Sequence, residues 1–260
     1  MSTEQDWELF KEKLFRKSNI NLNDYKPAQM QRRITNHMAR YGANKYMDFF
    51  TVIERDGEAY SKFIDFLTIN VSEFFRTPEK FSELESKVLP DLLSKSARLN
   101  IWSAGCSIGA EPYSLAMILG ELTPRSRHRI LATDLDKEIL EKARKAVYTA
   151  NELKNIPQAR LNKYFSRTGE QYCLNNEIKG LVEFKQHNML IDRFENGFDL
   201  ILCRNVVIYF TEEAKDGLYR RFFSSLKPGG VLFVGGTESI LSYHSMGYQS
   251  YLPFFYQKPF

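Results

Sequence analysis

A chain of 260 residues, 43% hydrophobic and carrying 20 Phe and 14 Tyr, can build a substantial core in one large domain or two unequal ones. Its formal net charge of +4 is mildly basic and does not demand a nucleic-acid partner. Cys106, Cys173 and Cys203 are odd in number and scattered, which points to a reducing cytosol. His37, His128, His187 and His244 do not cluster at ligand spacing, so no metal is expected. The polar, acidic start Met1 to Glu8 is no signal peptide, and no apolar run approaches the ~18 residues of a membrane span, so a cytoplasmic protein is expected.

Residues 1–90 read as helices. Thr3 and Asp6 look like a capping pair ahead of Trp7, Phe10 and Leu14, which share a helical face. Pro27 can open a second helix and Gly42 close it, with Met30, Ile34, Met38 and Tyr41 as its apolar stripe. Tyr46, Phe49, Phe50 and Ile53 mark a third helix, and Tyr60, Phe63, Ile64 and Leu67 a fourth. Thr77-Pro78 starts a fifth, with Phe81, Leu84, Val88 and Leu92 on its buried side. Residues 25–47 hold Lys26, Arg32, Arg33, His37, Arg40 and Lys45 without one acid. Arg33, Asn36 and Arg40 share the face opposite the apolar stripe. Such a face is either simply solvated or a dock for an acidic partner.

From residue 98 strands and helices alternate, which predicts an α/β domain with a mostly parallel sheet. Candidate strands are 99–103, 130–134, 182–187, 198–203 and 230–235; candidate helices are 111–121, 136–147 and 212–226. Lys227-Pro-Gly-Gly230 reads as a sharp turn into the fifth strand, and 251–258 as a last antiparallel strand. Residues 148–181 break the alternation and read as a small inserted β-subdomain with a hairpin. The expected organisation is a helical domain over 1–75, a bridging helix over 76–97 and an α/β domain over 98–260.

Within that domain, Asn100-Ile-Trp-Ser-Ala-Gly-Cys-Ser-Ile-Gly-Ala-Glu111 runs from strand through a glycine turn into a helix, and Asp134 ends the next strand. This is how a doubly wound sheet holds a nucleoside: glycines let the backbone approach a ligand, and an acid at the second strand tip accepts from ribose hydroxyls. The turn also serves as a plain strand-to-helix connection. No Lys-Ser or Lys-Thr follows, so it is no triphosphate loop. Glu111 would oppose a pyrophosphate, which favours S-adenosylmethionine over a dinucleotide.

Several segments together resemble one family. They are Asn70-Val-Ser-Glu-Phe-Phe-Arg76, Ser103-Ala-Gly-Cys-Ser-Ile-Gly-Ala-Glu-Pro-Tyr-Ser114, Ala132-Thr-Asp134, Asn188-Met189, Cys203-Arg-Asn-Val-Val-Ile-Tyr-Phe210, Leu226-Lys-Pro-Gly-Gly230 and Gly236-Thr-Glu-Ser239. Over nearly the whole chain the sequence is similar to CheR-type chemotaxis receptor methyltransferases. The resemblance implies a Rossmann-like methyltransferase sheet behind an all-helical N-terminal domain. It implies methyl transfer from S-adenosylmethionine to receptor glutamates, giving glutamate 5-O-methyl esters and S-adenosylhomocysteine. It places Asn70, Ser72, Arg76 and Gly105 at the cofactor, Glu111 at one of its polar groups, Asp134 at the ribose, Asn188 and Met189 around the adenine, and Arg204 and Asn205 at the methionine end. Arg76 and Tyr209 fall beside the transferring methyl, and Arg32, Arg33 and Arg40 become a dock for acidic receptor methylation helices. Without the resemblance, Arg76 reads as an ion-pair partner, Tyr209 as core, and Asn188-Met189 as a strand-end turn.

Carboxyl methylation fits a chain with no histidine cluster or triad. A glutamate with an ordinary pKa of about 4.3 is already ionised at neutral pH and needs no general base. The enzyme must align, desolvate and hold. Methylation of RNA or a small acid is the alternative, although no stacking-aromatic RNA motif is present.

Overall fold

The computed structural model describes residues 3–68, 72–124 and 126–260. Packing divides the chain into two compact units, one of residues 1–69 with 207–218 and one of 70–206 with 219–260. This departs from the expected boundaries in two ways. Residues 72–97 pack as part of the α/β unit, and 207–218 leave it for the helical unit.

In the helical unit, α1 (Thr3–Ser18), α2 (Pro27–Met38), α3 (Tyr46–Arg55) and α4 (Gly57–Thr68) follow the apolar stripes read from the sequence. Trp7, Phe10, Tyr46, Phe49, Phe50 and Phe63 form one aromatic cluster, with Phe10 and Phe63 fully buried. After α2 a 3-10 turn leads to Gly42 at φ +67°, the left-handed stop that glycine adopts without Cβ strain. Asp6 does not pair with Thr3 at the start of α1. Its carboxylate is 5% exposed and accepts from the backbone N–H of Tyr46 at 2.7 Å and of Met47 at 3.4 Å. It therefore caps α3, whose own N-cap residue, Lys45, has no side-chain acceptor. The 207–218 segment joins this unit through the Tyr25–Phe210 bridge and a bond from the Lys26 N–H to the Tyr209 carbonyl at 2.9 Å.

The second unit starts with α5 (Pro78–Glu83), a π-helical turn over Leu84–Val88, and α6 (Leu89–Lys95). Phe81, Leu84, Val88 and Leu92 are buried, as the stripe predicts. Then come β1 (Asn100–Ala104), α7 (Ala110–Leu122), β2 (Arg129–Asp134) and α8 (Lys137–Lys145). The insertion follows as β3 (Val147–Thr149), α9 (Gln158–Tyr164), β4 (Phe165–Thr168), β5 (Gln171–Leu174) and α10 (Asn176–Lys179). Its three antiparallel strands run in the order β3-β5-β4.

The chain closes with β6 (Val182–Gln186), β7 (Phe198–Cys203), α11 (Glu212–Ser225), β8 (Leu226–Val234), β9 (Gln249–Leu252) and β10 (Phe255–Gln257). Lys227–Gly230 lies inside β8 instead of turning into it. The irregularity shows as a register shift opposite Phe198/Leu200, with Gly229 at φ +75°. The C-terminal strand is a hairpin of two, β9 and β10, where one was expected.

The main sheet has the order β6-β2-β1-β7-β8-β10-β9, parallel through β8 and antiparallel beyond. From β1 the chain winds outward to β2 and β6, then returns to place β7 on the other side of β1. The strand order thus reverses between β1 and β7. In an open α/β sheet this switch point opens a crevice at the carboxyl ends of the two strands. Trp102, 2% exposed and ringed by His187, Phe194, Phe198 and Phe222, anchors β1 beneath it.

Candidate active site

The carboxyl ends of β1, β2 and β7 carry the site. The register Ser103↔Leu202 puts the end of β1 beside the end of β7, so the turn after Ala104 and the Arg204-Asn205 pair are neighbours. Gly105 has φ +80°, and a Cβ there would lie 2.5 Å from the Val206 side chain. At Gly109, with φ +83°, a Cβ would lie 3.0–3.2 Å from Tyr113, Phe184 and Ala143. Packing within the protein alone therefore requires both glycines, and their presence is no argument for a ligand.

That argument rests on the polar groups. Asp134 is 7% exposed; one carboxylate oxygen accepts from the Ser107 N–H at 2.8 Å and the other from the Asp136 N–H at 3.1 Å. A carboxylate has about four acceptor positions, so with a further backbone bond from Leu135 about one is left for an incoming hydroxyl. Burial pushes this acid up to about 6, with the backbone bonds opposing part of the shift. Ser107 is 8% exposed and its Oγ has no hydrogen-bond partner. A buried hydroxyl at the mouth of a strand-to-helix turn is costly to leave unpaired, and a bound nucleoside would satisfy it.

Glu111, in the first turn of α7, accepts from Ser103 Oγ at 2.8 Å and from Arg204 Nη1 at 3.3 Å. The Arg204 side chain is 3% exposed and lies over the rings of Phe233, at 4.6 Å, and Phe81, at 5.3 Å. Its Nη2 donates to the Arg76 carbonyl at 2.7 Å and to Thr77 Oγ1 at 3.3 Å, while Nε has no partner. Burial lowers the Arg204 pKa, and the Glu111 charge opposes that shift. Arg204 thus ties β7 both to α7 and to the segment that carries Arg76. Phe75 (φ +49°) and Thr77 (φ +62°) flank Arg76 in left-handed backbone conformations that cost non-glycine residues energy. The bonds from Arg204, and one that the Phe75 N–H donates to Ser114 Oγ at 3.0 Å, hold them there.

Asn205 is also left-handed, at φ +59°, and its N–H donates to Glu238 Oε2 at 2.6 Å. The same oxygen accepts from the Gly235 N–H at 2.8 Å. Beyond β6, the His187 N–H donates to the Asp134 carbonyl at 2.9 Å, which brings Asn188 and Met189 beside the tip of β2. The Met189 methyl lies 3.6 Å from where a Gly105 Cβ would stand.

The structure therefore brings together Arg76, Gly105, Glu111, Asp134, Asn188, Met189, Arg204 and Asn205. Ser72 is half-buried on the strand-free segment leading to Arg76. Asn70 lies outside the described residues. Tyr209 belongs to the helical unit, in a 3-10 turn over Val207–Tyr209, with the Arg33 guanidinium 5.9 Å from its ring. Of the three docking arginines, Arg32 and Arg40 are exposed. Arg33 is occupied within its unit, donating to the Phe66 carbonyl at 2.5 Å and lying over the Phe66 ring at 4.7 Å. His37 is 4% exposed against Phe66, and burial lowers its pKa, so it adds no charge to that face.

Ser103, Ser107 and Glu238 also stand at this cluster and carry no signal of it in the sequence. Ser103 meets Glu111 eight residues on, whereas the Ser107 backbone meets Asp134 and Glu238 meets the Asn205 backbone, both distant in sequence. Among the described residues, no group of three or more His, Cys, Asp or Glu side chains is placed to hold a metal. No helix among them is long and apolar enough to cross a membrane.

A doubly wound sheet with a buried acid at the β2 tip and a polar cluster at the β1/β7 switch point defines the class of α/β proteins that bind a nucleoside-containing ligand. The chain matches the model of the CheR methyltransferase S-adenosylmethionine-binding domain over residues 70–251 and that of the CheR all-alpha domain over 5–68, and it belongs to this family. It is 39% identical to the chemotaxis protein methyltransferase of Listeria monocytogenes over 98% of each protein. With the Escherichia coli K12 chemotaxis protein methyltransferase it shares 34% identity over 87% of this chain and 81% of that one.

Proposed function

We propose that this protein moves the methyl group of S-adenosylmethionine onto glutamate side chains of chemotaxis receptors, forming glutamate 5-O-methyl esters that reset sensory output. Asp134 carries the reading: a buried acid at the tip of the second strand, held by backbone N–H groups and keeping acceptor capacity for a ribose hydroxyl. Membership of a family whose relatives are named chemotaxis protein methyltransferases supports the pathway.

The bound cofactor would supply a methyl group already activated by its positive sulfur. The chain's own residues then bind, orient and attract. Asp134 holds the ribose hydroxyls, and the Ser107 hydroxyl lies next to it in the turn. Glu111, already braced by Ser103 and Arg204, holds a polar group at the amino-acid end. Asn188 and Met189 border the base. Arg76 orients the acceptor carboxylate, which is ionised at neutral pH and attacks without a general base. Tyr209 keeps the role beside the methyl that the family resemblance gives it. Arg32 and Arg40 attract the acidic methylation helices from the cytoplasmic side.

The test uses methyl-labelled S-adenosylmethionine with membranes containing chemoreceptors. Label in the receptor band, released as volatile methanol by mild base, is the expected result and fixes a carboxyl ester. Base-stable label, or label only in RNA or a small acid, overturns the receptor assignment.

A further inference from the structure

Asn188 to Asp192 has no helix or strand to shape it, yet it borders the site. Its form comes partly from itself. Asn188 Oδ1 accepts from the Leu190 N–H at 3.0 Å, and Asp192 Oδ2 from the Asn188 N–H at 2.8 Å. The rest comes from one side chain far along the sequence. Arg221, on α11, donates from Nη1 to the carbonyls of Met189 at 2.7 Å and Leu190 at 3.0 Å, and from Nη2 to the carbonyl of Asp192. Its guanidinium lies 3.9 Å from the centre of the Phe194 ring. Three converging carbonyls, with no salt bridge to a carboxylate among the described residues, are an unusual set for an arginine. They match the planar donor fork, which a lysine cannot copy.

We propose that Arg221 is a positioning residue for the adenosine half of the cofactor, acting through the backbone of Met189 and Leu190. This rests on the reading above, in which Asn188 and Met189 border the base. The Met189 side chain is 8% exposed and packs toward the Gly105 turn, so a shift of its carbonyl moves the wall of the site. Arg221 is half-buried and approaches the turn through its carbonyls.

The test compares Arg221→Met and Arg221→Lys with the unaltered protein by calorimetric titration with two probes. S-adenosylhomocysteine carries both halves of the ligand; 5′-methylthioadenosine carries only the adenosine half. Loss of charge-assisted bonds to three carbonyls is expected to weaken both probes by about tenfold in Arg221→Met. Arg221→Lys should recover only part of that loss. The maximal rate at saturating S-adenosylmethionine should stay within about twofold, since the reacting end is untouched. As a contrast, Glu111→Gln should weaken S-adenosylhomocysteine and spare methylthioadenosine. Equal affinities in Arg221→Met and the unaltered protein overturn the proposal, as does a fall in thermal stability with no change in either affinity. If the unaltered protein binds neither probe, the cofactor reading itself fails, which is a separate result.

Discussion

Asp134 shows how one side chain can be legible in type and illegible in state. Its position at the end of an apolar run marks it as a strand-tip acid. Its elevated pKa, about 6, follows from burial that only the folded chain creates. Ribose hydroxyls donate to the carboxylate and so prefer its ionised form. Affinity for S-adenosylhomocysteine should therefore be full above pH ~7 and fall below pH ~6, approaching tenfold per pH unit. Asp134→Asn should bind weakly and lose this slope. A flat affinity between pH 5 and 8 in the unaltered protein would separate Asp134 from the ligand. Glu238 is the opposite case. Its sequence neighbourhood stands out but its task does not, because the groups it binds are the N–H groups of Asn205 and Gly235. Backbone donors leave no trace in side-chain spacing.

At the level of elements, the apolar stripes gave helices and strands where periodicity was clear, and the buried faces of α1 to α4 agree with them. End signals were less dependable. The Thr3/Asp6 pair satisfies the capping pattern, yet the Asp6 carboxylate serves the first turn of α3, 40 residues away. A cap is recognised by the donors it meets, and tertiary packing decides which helix start comes within reach. Asp6→Ala should cost about 1–2 kcal/mol of stability and speed amide exchange in the first turn of α3. Faster exchange confined to the start of α1 would return Asp6 to the local capping role. The Lys227–Gly230 stretch is likewise settled by its neighbours. Its proline and glycines announce a turn, and the strand absorbs them as a bulge between Leu226, opposite Phe198, and Val231, opposite Leu200 and Gln257.

Across the whole molecule, charge is the property most open to test. The 25–47 run is uniformly basic in sequence, but folding sorts it: Arg33 and His37 turn inward, while Arg32 and Arg40 stay exposed. Reversing both, Arg32→Glu with Arg40→Glu, should slow receptor methylation by roughly tenfold at low salt and far less near ~0.5 M, where charges are screened beyond about 5 Å. Methylthioadenosine binding should be unchanged. A rate unaffected in either buffer would leave the face as solvated surface.

The sequence by itself determined the fold class, the helical N-terminal region, the site-bearing turn and the family. Each of these depends on local periodicity or on contiguous motifs, which a linear chain displays directly. Only the tertiary structure decided that residues 207–218 pack with the helices, that Arg33 is occupied by Phe66, and that Arg221 shapes the turn after β6. Those outcomes depend on contacts between distant segments, and folding alone selects which distant groups meet.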